Sequence, residues 1–135
     1  MPSPSWALQQ AVFVALTADA PLAALLGGPH IHDDVPQGTA FPYISFGPAT
    51  ARDWSTGSEA GTEHTLTLHA WSQARGRKDI HEIMAAVAAA LHDAPLALTG
   101  HRLVNLRHES SDTRREPDGD TLRGIVRFRA VTEPA

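Results

Sequence analysis

The sequence contains no cysteine among its 135 residues. Disulfide bonds, zinc sites built from thiolates and cysteine nucleophiles are therefore excluded. The absence also fits a protein that is assembled in a reducing compartment. Without covalent cross-links the fold depends on packing, and a hydrophobic content of 42% in a chain of this length supplies one core.

An excess of positive charge is also missing, because the formal net charge is −4. A dedicated nucleic-acid-binding protein usually shows the opposite balance. No apolar run approaches the roughly 18 residues that span a bilayer, and residues 1–5 lack the positive start of a signal peptide. We therefore expect a soluble intracellular protein, folded as one domain over residues 1–135.

Hydrophobic periodicity divides the chain into helical and extended segments. The helical ones are residues 5–19, 21–26 and 79–92; the extended ones are residues 41–47, 62–71, 101–111 and 122–132, with a short piece at 30–32. In the first helix Leu8, Val12 and Leu16 recur at helical spacing, and we expect Trp6 and Phe13 to widen that buried stripe. The order α-α-β-β-α-β-β predicts an α+β fold, with a mostly antiparallel sheet of about four to five strands and two main helices packed on one face.

The segment of residues 30–34, His-Ile-His-Asp-Asp, is the most ligand-like cluster. Two histidines two positions apart on a strand point the same way, and adjacent carboxylates suit a divalent metal; the plainer alternative is a polar connection. His81-Glu82 lacks the second histidine of a zinc protease, and Ser58 lacks the flanking glycines of a nucleophile elbow. The sequence therefore predicts no catalytic residue, no metal site and no cofactor.

Two tryptophans and six arginines fall outside the predicted core, and they are the candidate contacts to a partner: Trp54, Trp71, Arg107, Arg114, Arg115, Arg123, Arg127 and Arg129. The arginines belong to the last two strands and to the hairpin tip between them, on the side away from the apolar residues. Such a strip suits a phosphate backbone or an acidic partner, whereas the plainer interpretation pairs each arginine with a nearby carboxylate. Trp54, in a polar loop, is the stronger aromatic anchor, because Trp71 is equally compatible with burial.

Four linked segments, residues 35–44, 68–76, 96–104 and 124–130, resemble in order and spacing the tail completion (tail terminator) family of long-tailed phages and gene transfer agents. They read VPQGTAFPYI, LHAWSQARG, LALTGHRLV and GIVRFRA. The resemblance extends over residues 6–132. None of the four segments is a catalytic motif, so the resemblance adds no active-site residue.

The resemblance implies a structural virion protein of the tail. Members of the family form a ring, usually a hexamer, at the head-proximal end of the tail tube, where the ring stops tube polymerisation and joins the head connector. The implied partners are copies of the chain itself, the major tail tube protein and the head–tail connector or stopper protein, with DNA passing through the lumen without specific binding and no membrane. Three alternatives stay open: another head–tail joining subunit, a small metal-dependent enzyme using the histidine-rich segments, and a nucleic-acid-binding module using the arginines.

Overall fold

Helices and strands alternate along the chain in the computed structural model, which describes residues 3–135. Met1 and Pro2, part of the N-terminal stretch discussed above, lie outside the described residues. The elements are α1 (Pro4–Thr17), α2 (Ala20–Leu26), β1 (Ile31–His32), β2 (Tyr43–Asp53), β3 (Thr62–Ser72), α3 (Lys78–Leu91), β4 (Ala97–Leu98), β5 (His101–Arg115) and β6 (Leu122–Pro134). The predicted α+β class and the order of the helices and long strands are confirmed.

The strands form one sheet in the order β1-β2-β3-β6-β5-β4. The long strands pair antiparallel throughout, and only the two-residue strand β1 runs parallel to its neighbour. The short strand β1 lies within the extended piece expected at 30–32, whereas the two-residue strand β4 was not predicted. Both short strands stand at the margins, so the body of the sheet consists of the four long strands.

Helix boundaries follow from capping. The Ser3 hydroxyl accepts a hydrogen bond from the Trp6 amide at 3.0 Å and begins α1, and the Asp19 carboxylate accepts one from the Leu22 amide at 3.0 Å and begins α2. Gly27 then ends α2 with a φ of 78°, a left-handed conformation that glycine adopts cheaply. The two main helices, α1 and α3, pack on one face of the sheet, as predicted, and the short α2 completes the same single core.

Helix α3 approaches the sheet most closely over Gly124. A Cβ atom at that position would lie 2.6 Å from Met84 Sδ and 3.1 Å from Ile80 Cγ1. Beside it the sheet contributes Val126 and Phe128, which are fully or almost fully buried. A smooth, alanine-rich helix against a glycine in the central strand brings the two layers together, and each large apolar side chain buried there stabilises the fold by roughly 1.5–3 kcal/mol.

Two strands are longer than the sequence predicted. β2 continues past residue 47 to Asp53, and β5 continues past residue 111 to Arg115, through polar and exposed residues. These extensions are held by the register with β3 and β6, which runs on to Asp53↔Thr62 and Arg115↔Leu122. Of the two forms that the polar composition of residues 50–61 allows, a mobile loop or a flared hairpin, the structure shows the hairpin, with strand pairing as far as Asp53 and Thr62.

Within residues 3–135, no single helix is long and apolar enough to cross a membrane; α1 and α2 reach that length only together and meet at a bend of 75°.

Candidate assembly surfaces

The face of the sheet opposite the helices is left uncovered by any element of the described chain, and we call it the open face. Side chains of the long strands alternate between the core and this face. Arg123, Arg127 and Arg129 of β6 point to the open face, while Val126 and Phe128 point to the core, as the alternation predicted. The neighbouring strands β3 and β5 add threonine, histidine, asparagine and further arginine side chains. The open face is therefore polar, with a few aromatic rings.

The arginines of β6 lie beside carboxylates. Arg123 pairs with Glu116 at 2.9 Å, and Arg127 with Asp112 at 3.4 Å. Arg129 pairs with Glu63 at 2.6 Å. On β5, Arg107 lies more loosely, at 3.8 Å, from Asp93. The strip that is basic in the sequence is thus largely neutralised within the molecule.

Glu63 is the point where two arginines meet. It accepts hydrogen bonds from Arg52 of β2 and from Arg129 of β6, and these bonds lower the pKa of the Glu63 carboxyl, although burial opposes the shift. The carboxylate thereby ties three adjacent strands together across the open face.

Trp71 is held by its own sheet. Its indole N–H donates to the Ser45 hydroxyl at 2.9 Å, and its ring stacks on Tyr43 at a centroid distance of 6.1 Å. His69 meets the ring edge-on at 5.9 Å, and the Arg123 guanidinium lies over it at 5.5 Å. Burial, and then the charges of nearby arginines, lower the pKa of His69. Trp71 is partly buried, by side chains of the open face rather than by a second layer of helices.

Trp54 stands at the start of the projecting hairpin loop and is 47% exposed. Two guanidinium groups lie over its ring, Arg129 at 5.1 Å and Arg52 at 5.9 Å. The loop is closed by a hydrogen bond from the Trp54 amide to the Gly61 carbonyl at 2.9 Å. An exposed aromatic ring on a fixed backbone suits a contact with a partner.

The tip of the β5–β6 hairpin carries Arg114 and Arg115. The Asp118 carboxylate fixes the turn by accepting hydrogen bonds from the amides of Asp120 and Thr121, both at 2.9 Å, and from the Thr121 hydroxyl, and these bonds lower the pKa of Asp118. Arg115 donates to the Gly119 carbonyl at 3.1 Å, whereas Arg114 has no ion-pair partner among residues 3–135. The tip is therefore a rigid, exposed projection.

Helix α1 presents an exposed apolar surface, on its side away from the core, that the sequence interpretation missed. Trp6 and Phe13, expected in the buried stripe, are 49% and 40% exposed, and Val14 is 65% exposed. The expectation was wrong because the core takes only the narrow stripe through Ala7, Leu8, Val12 and Leu16, and Trp6 and Phe13 project from the opposite side. A signal was present in the sequence, because α1 contains no charged residue and its outer side therefore lacks the charged face of an ordinary surface helix.

The residues weighed for catalysis do not converge. Within the described chain, no group of three or more histidine, aspartate or glutamate side chains is placed to hold a metal ion. His32 packs edge-on against Tyr43, with ring centroids 5.9 Å apart. Ser58 lies in the exposed hairpin loop, and Glu82 pairs with Lys78 on the surface of α3. The residues that the sequence singled out for chemistry are therefore dispersed over the surface of the described chain.

Comparison with known proteins then places the chain in a family. The model of the tail completion protein gp17 family matches residues 10–133. The chain belongs to this family. No protein of curated function matches at a significant level.

Two solved structures share the fold. A chain from the virion of a native gene transfer agent particle is 37% identical, with a TM-score of 0.90, and the match covers 98% of this chain and 99% of that chain. The gp17 protein of bacteriophage SPP1 is 24% identical, with a TM-score of 0.61, over 93% of this chain and 88% of that chain. This member of the family therefore matches a chain of an assembled particle over 98% of its own length.

Proposed function

We propose that this protein is the tail terminator of a phage-like particle: a structural subunit that forms a ring at the head-proximal end of the tail tube. The ring stops tube polymerisation and joins the tail to the head connector. The observation that carries the proposal is the near-complete mutual coverage, at 37% identity, with a chain of a gene transfer agent virion. The protein acts by shape in the virion tail, is assembled in the bacterial cytoplasm and is not an enzyme.

The surfaces described above suit three kinds of partner. A subunit of a ring must contact two neighbouring copies through two different patches, and we propose six copies. It must also contact the major tail tube protein on one side and the connector or stopper protein on the other. The uncharged outer side of α1, the exposed Trp54 and the rigid hairpin tip are separate projections that can serve different contacts at once.

The charge pattern favours passage of DNA over retention. Binding to a phosphate backbone needs cations that are free to replace counterions, and Arg123, Arg127 and Arg129 each lie beside a carboxylate instead. DNA accordingly passes through the ring without specific binding.

The test is electron microscopy of particles made without this protein. We expect overlong tubes and heads without tails, because nothing ends the tube or joins it to the connector. A plasmid copy of the wild-type gene should restore normal tails. The His81→Ala variant should restore them equally, since His81 is exposed on α3 and is one of the histidines that an enzyme would use. Tails of normal length, attached to heads, in the absence of the protein would refute the proposal.

A further inference from the structure

The sheet has two different unfinished margins. On one side, β1 pairs only with Ile44 and Ser45 of β2, so that residues 47–53 of β2, which pair with β3 on their inner side, have no strand on their outer side among residues 3–135. On the other side, β4 pairs only with His101 and Arg102, and the rest of β5 extends beyond it. Long unpaired edges of this kind invite pairing with another chain.

Part of the β5 margin is already occupied. The Asp93 amide donates to the Leu106 carbonyl at 2.8 Å, and the His108 amide donates to His92 Nδ1 at 3.0 Å, so the segment after α3 covers this middle stretch. What remains open is residues 109–115. The open stretches, 47–53 on β2 and 109–115 on β5, are equal in length.

Hydrogen bonds at the strand ends show which backbone groups face outward. The Glu116 amide donates to the Thr121 carbonyl of the neighbouring strand at 2.8 Å. The backbone N–H and C=O groups of alternate residues point to the same neighbour. Those of Arg114 therefore also point to β6, and those of Thr113 point outward, away from the sheet. In the same way, the Trp54 amide donates to the Gly61 carbonyl, so the backbone N–H and C=O groups of Arg52 point to β3 and those of Ala51 point outward. Both margins therefore offer free N–H and C=O groups.

We propose that neighbouring copies of this protein join by antiparallel pairing of residues 47–53 of one copy with residues 109–115 of the next, so that one sheet continues around the ring. The proposal rests on the proposed function, because it describes how that ring closes. The two margins differ, so the contact is head-to-tail, and a rotation relates each copy to the next.

The positions of the two stretches fit a closed ring. Within one molecule Ala51 pairs with His64, His64 pairs with Ala130, and Ala130 pairs with Leu106. Ala51 and Leu106 therefore lie at the same height in the sheet. Pairing Ala51 with Thr113 of the neighbour shifts the strands by about seven residues, or roughly 20–23 Å at ~3.3 Å per residue. The four long strands of one copy are together ~19 Å wide. The ratio of the shift to this width is the tangent of the strand tilt, which is therefore about 45–50° from the ring axis. This tilt is close to the ~35–45° at which sheets close into barrels.

The same register places complementary side chains together. With Ala51 opposite Thr113, Arg52 of one copy lies beside Asp112 of the next, and both belong to the open face. Opposite charges directly across two strands favour their pairing. Shifting the register by two residues instead sets Asp53 against Glu109, which opposes pairing.

The chain has no cysteine, so introduced cysteines report the contact without background. We would prepare Ala51→Cys and Thr113→Cys separately and together, and cross-link them with a short bismaleimide. An equal mixture of the single variants should give a covalent dimer, whereas each single variant alone should give none. The double variant, in solution or in purified particles, should give a ladder of bands that ends at the ring size.

Proline provides the matched loss of the contact. Thr113→Pro removes an outward N–H that β6 does not use, whereas Thr113→Ser keeps it. We place Thr113→Pro or Thr113→Ser in the Ser111→Cys variant, whose residues 109–115 form the contact, and mix each with the Ala51→Cys variant. We expect Thr113→Pro to retain the unfolding midpoint of Thr113→Ser and to lose at least tenfold in cross-linking to Ala51→Cys, relative to the serine control.

Cross-linking within single-cysteine variants would show that like margins pair and would overturn the proposal, as would its absence from both the mixture and the double variant. The two proposals fail separately. If the protein ends tails but no cross-link forms, the strand pairing is wrong and the terminator function stands. If the cross-links form but tails end normally without the protein, the terminator function is wrong and the pairing stands.

Discussion

Replacing Trp71 separates a side chain that supports the fold from one that binds a partner. The indole makes one hydrogen bond to Ser45, a stacked contact with Tyr43 and a cation–π contact with Arg123. A hydrogen bond contributes about 1 kcal/mol, an aromatic pair about 0.5–1.5 kcal/mol and a cation–π contact about 0.5–1 kcal/mol. Trp71→Ala should therefore reduce the free energy of unfolding by about 2–3.5 kcal/mol.

Urea denaturation followed by far-UV circular dichroism measures this loss. A chain of this size has an m-value of about 1–3 kcal/mol/M, so at an m-value of about 2 kcal/mol/M the midpoint should fall by roughly 1–2 M. Trp71→Phe is the control: it keeps the stacked ring, loses the indole N–H and should cost only about 1 kcal/mol. If Trp71→Ala left the midpoint unchanged and yet blocked assembly, Trp71 would be a contact to a partner and our account of it would be refuted.

Two further changes test the core and its margin. His64 is buried, and its side chain shares a hydrogen bond with the Thr132 hydroxyl at 2.9 Å; burial, and then nearby His101, lower its pKa. The unfolded chain therefore binds a proton at this histidine more readily than the folded chain does. The urea midpoint of unfolding should be steady above about pH 6.5, the ordinary histidine pKa, and should fall as the pH drops below it. His64→Gln should flatten that fall, and an unchanged pH profile would contradict the assignment. Phe128→Ala should reduce the free energy of unfolding by about 3–5 kcal/mol, because Phe128 is fully buried in the central strand. Thermal unfolding of this variant, compared with that of Phe128→Leu, measures the loss. A loss below about 1 kcal/mol would show that the core closes over the cavity.

The sequence predicted those parts of the fold that depend on hydrophobic periodicity. Apolar stripes such as that of α3 predicted the helices, and apolar alternation predicted the long strands and their order. The alternation of β6 also predicted the direction of Arg123, Arg127 and Arg129. The extensions of β2 and β5 were missed because polar, exposed residues carry no such pattern, and their strand form depends on pairing with β3 and β6.

The candidate surfaces were harder to predict than the fold. Which carboxylate neutralises an arginine depends on register, as with Glu63, which lies between Arg52 and Arg129. Trp6 was misplaced because periodicity alone does not say how wide a stripe the core takes. The unpaired margins depend on the shortness of β1 and β4, which no local pattern marks.

The two-residue strands β1 and β4 also bear on the genetics of the particle. If copies pair through these margins as we propose, a subunit damaged at one margin is still incorporated through the other, and the ring is left as an open arc. Such an allele would be dominant over the normal gene, and its harm would grow with the number of copies in each ring. A null allele of the same gene would be recessive.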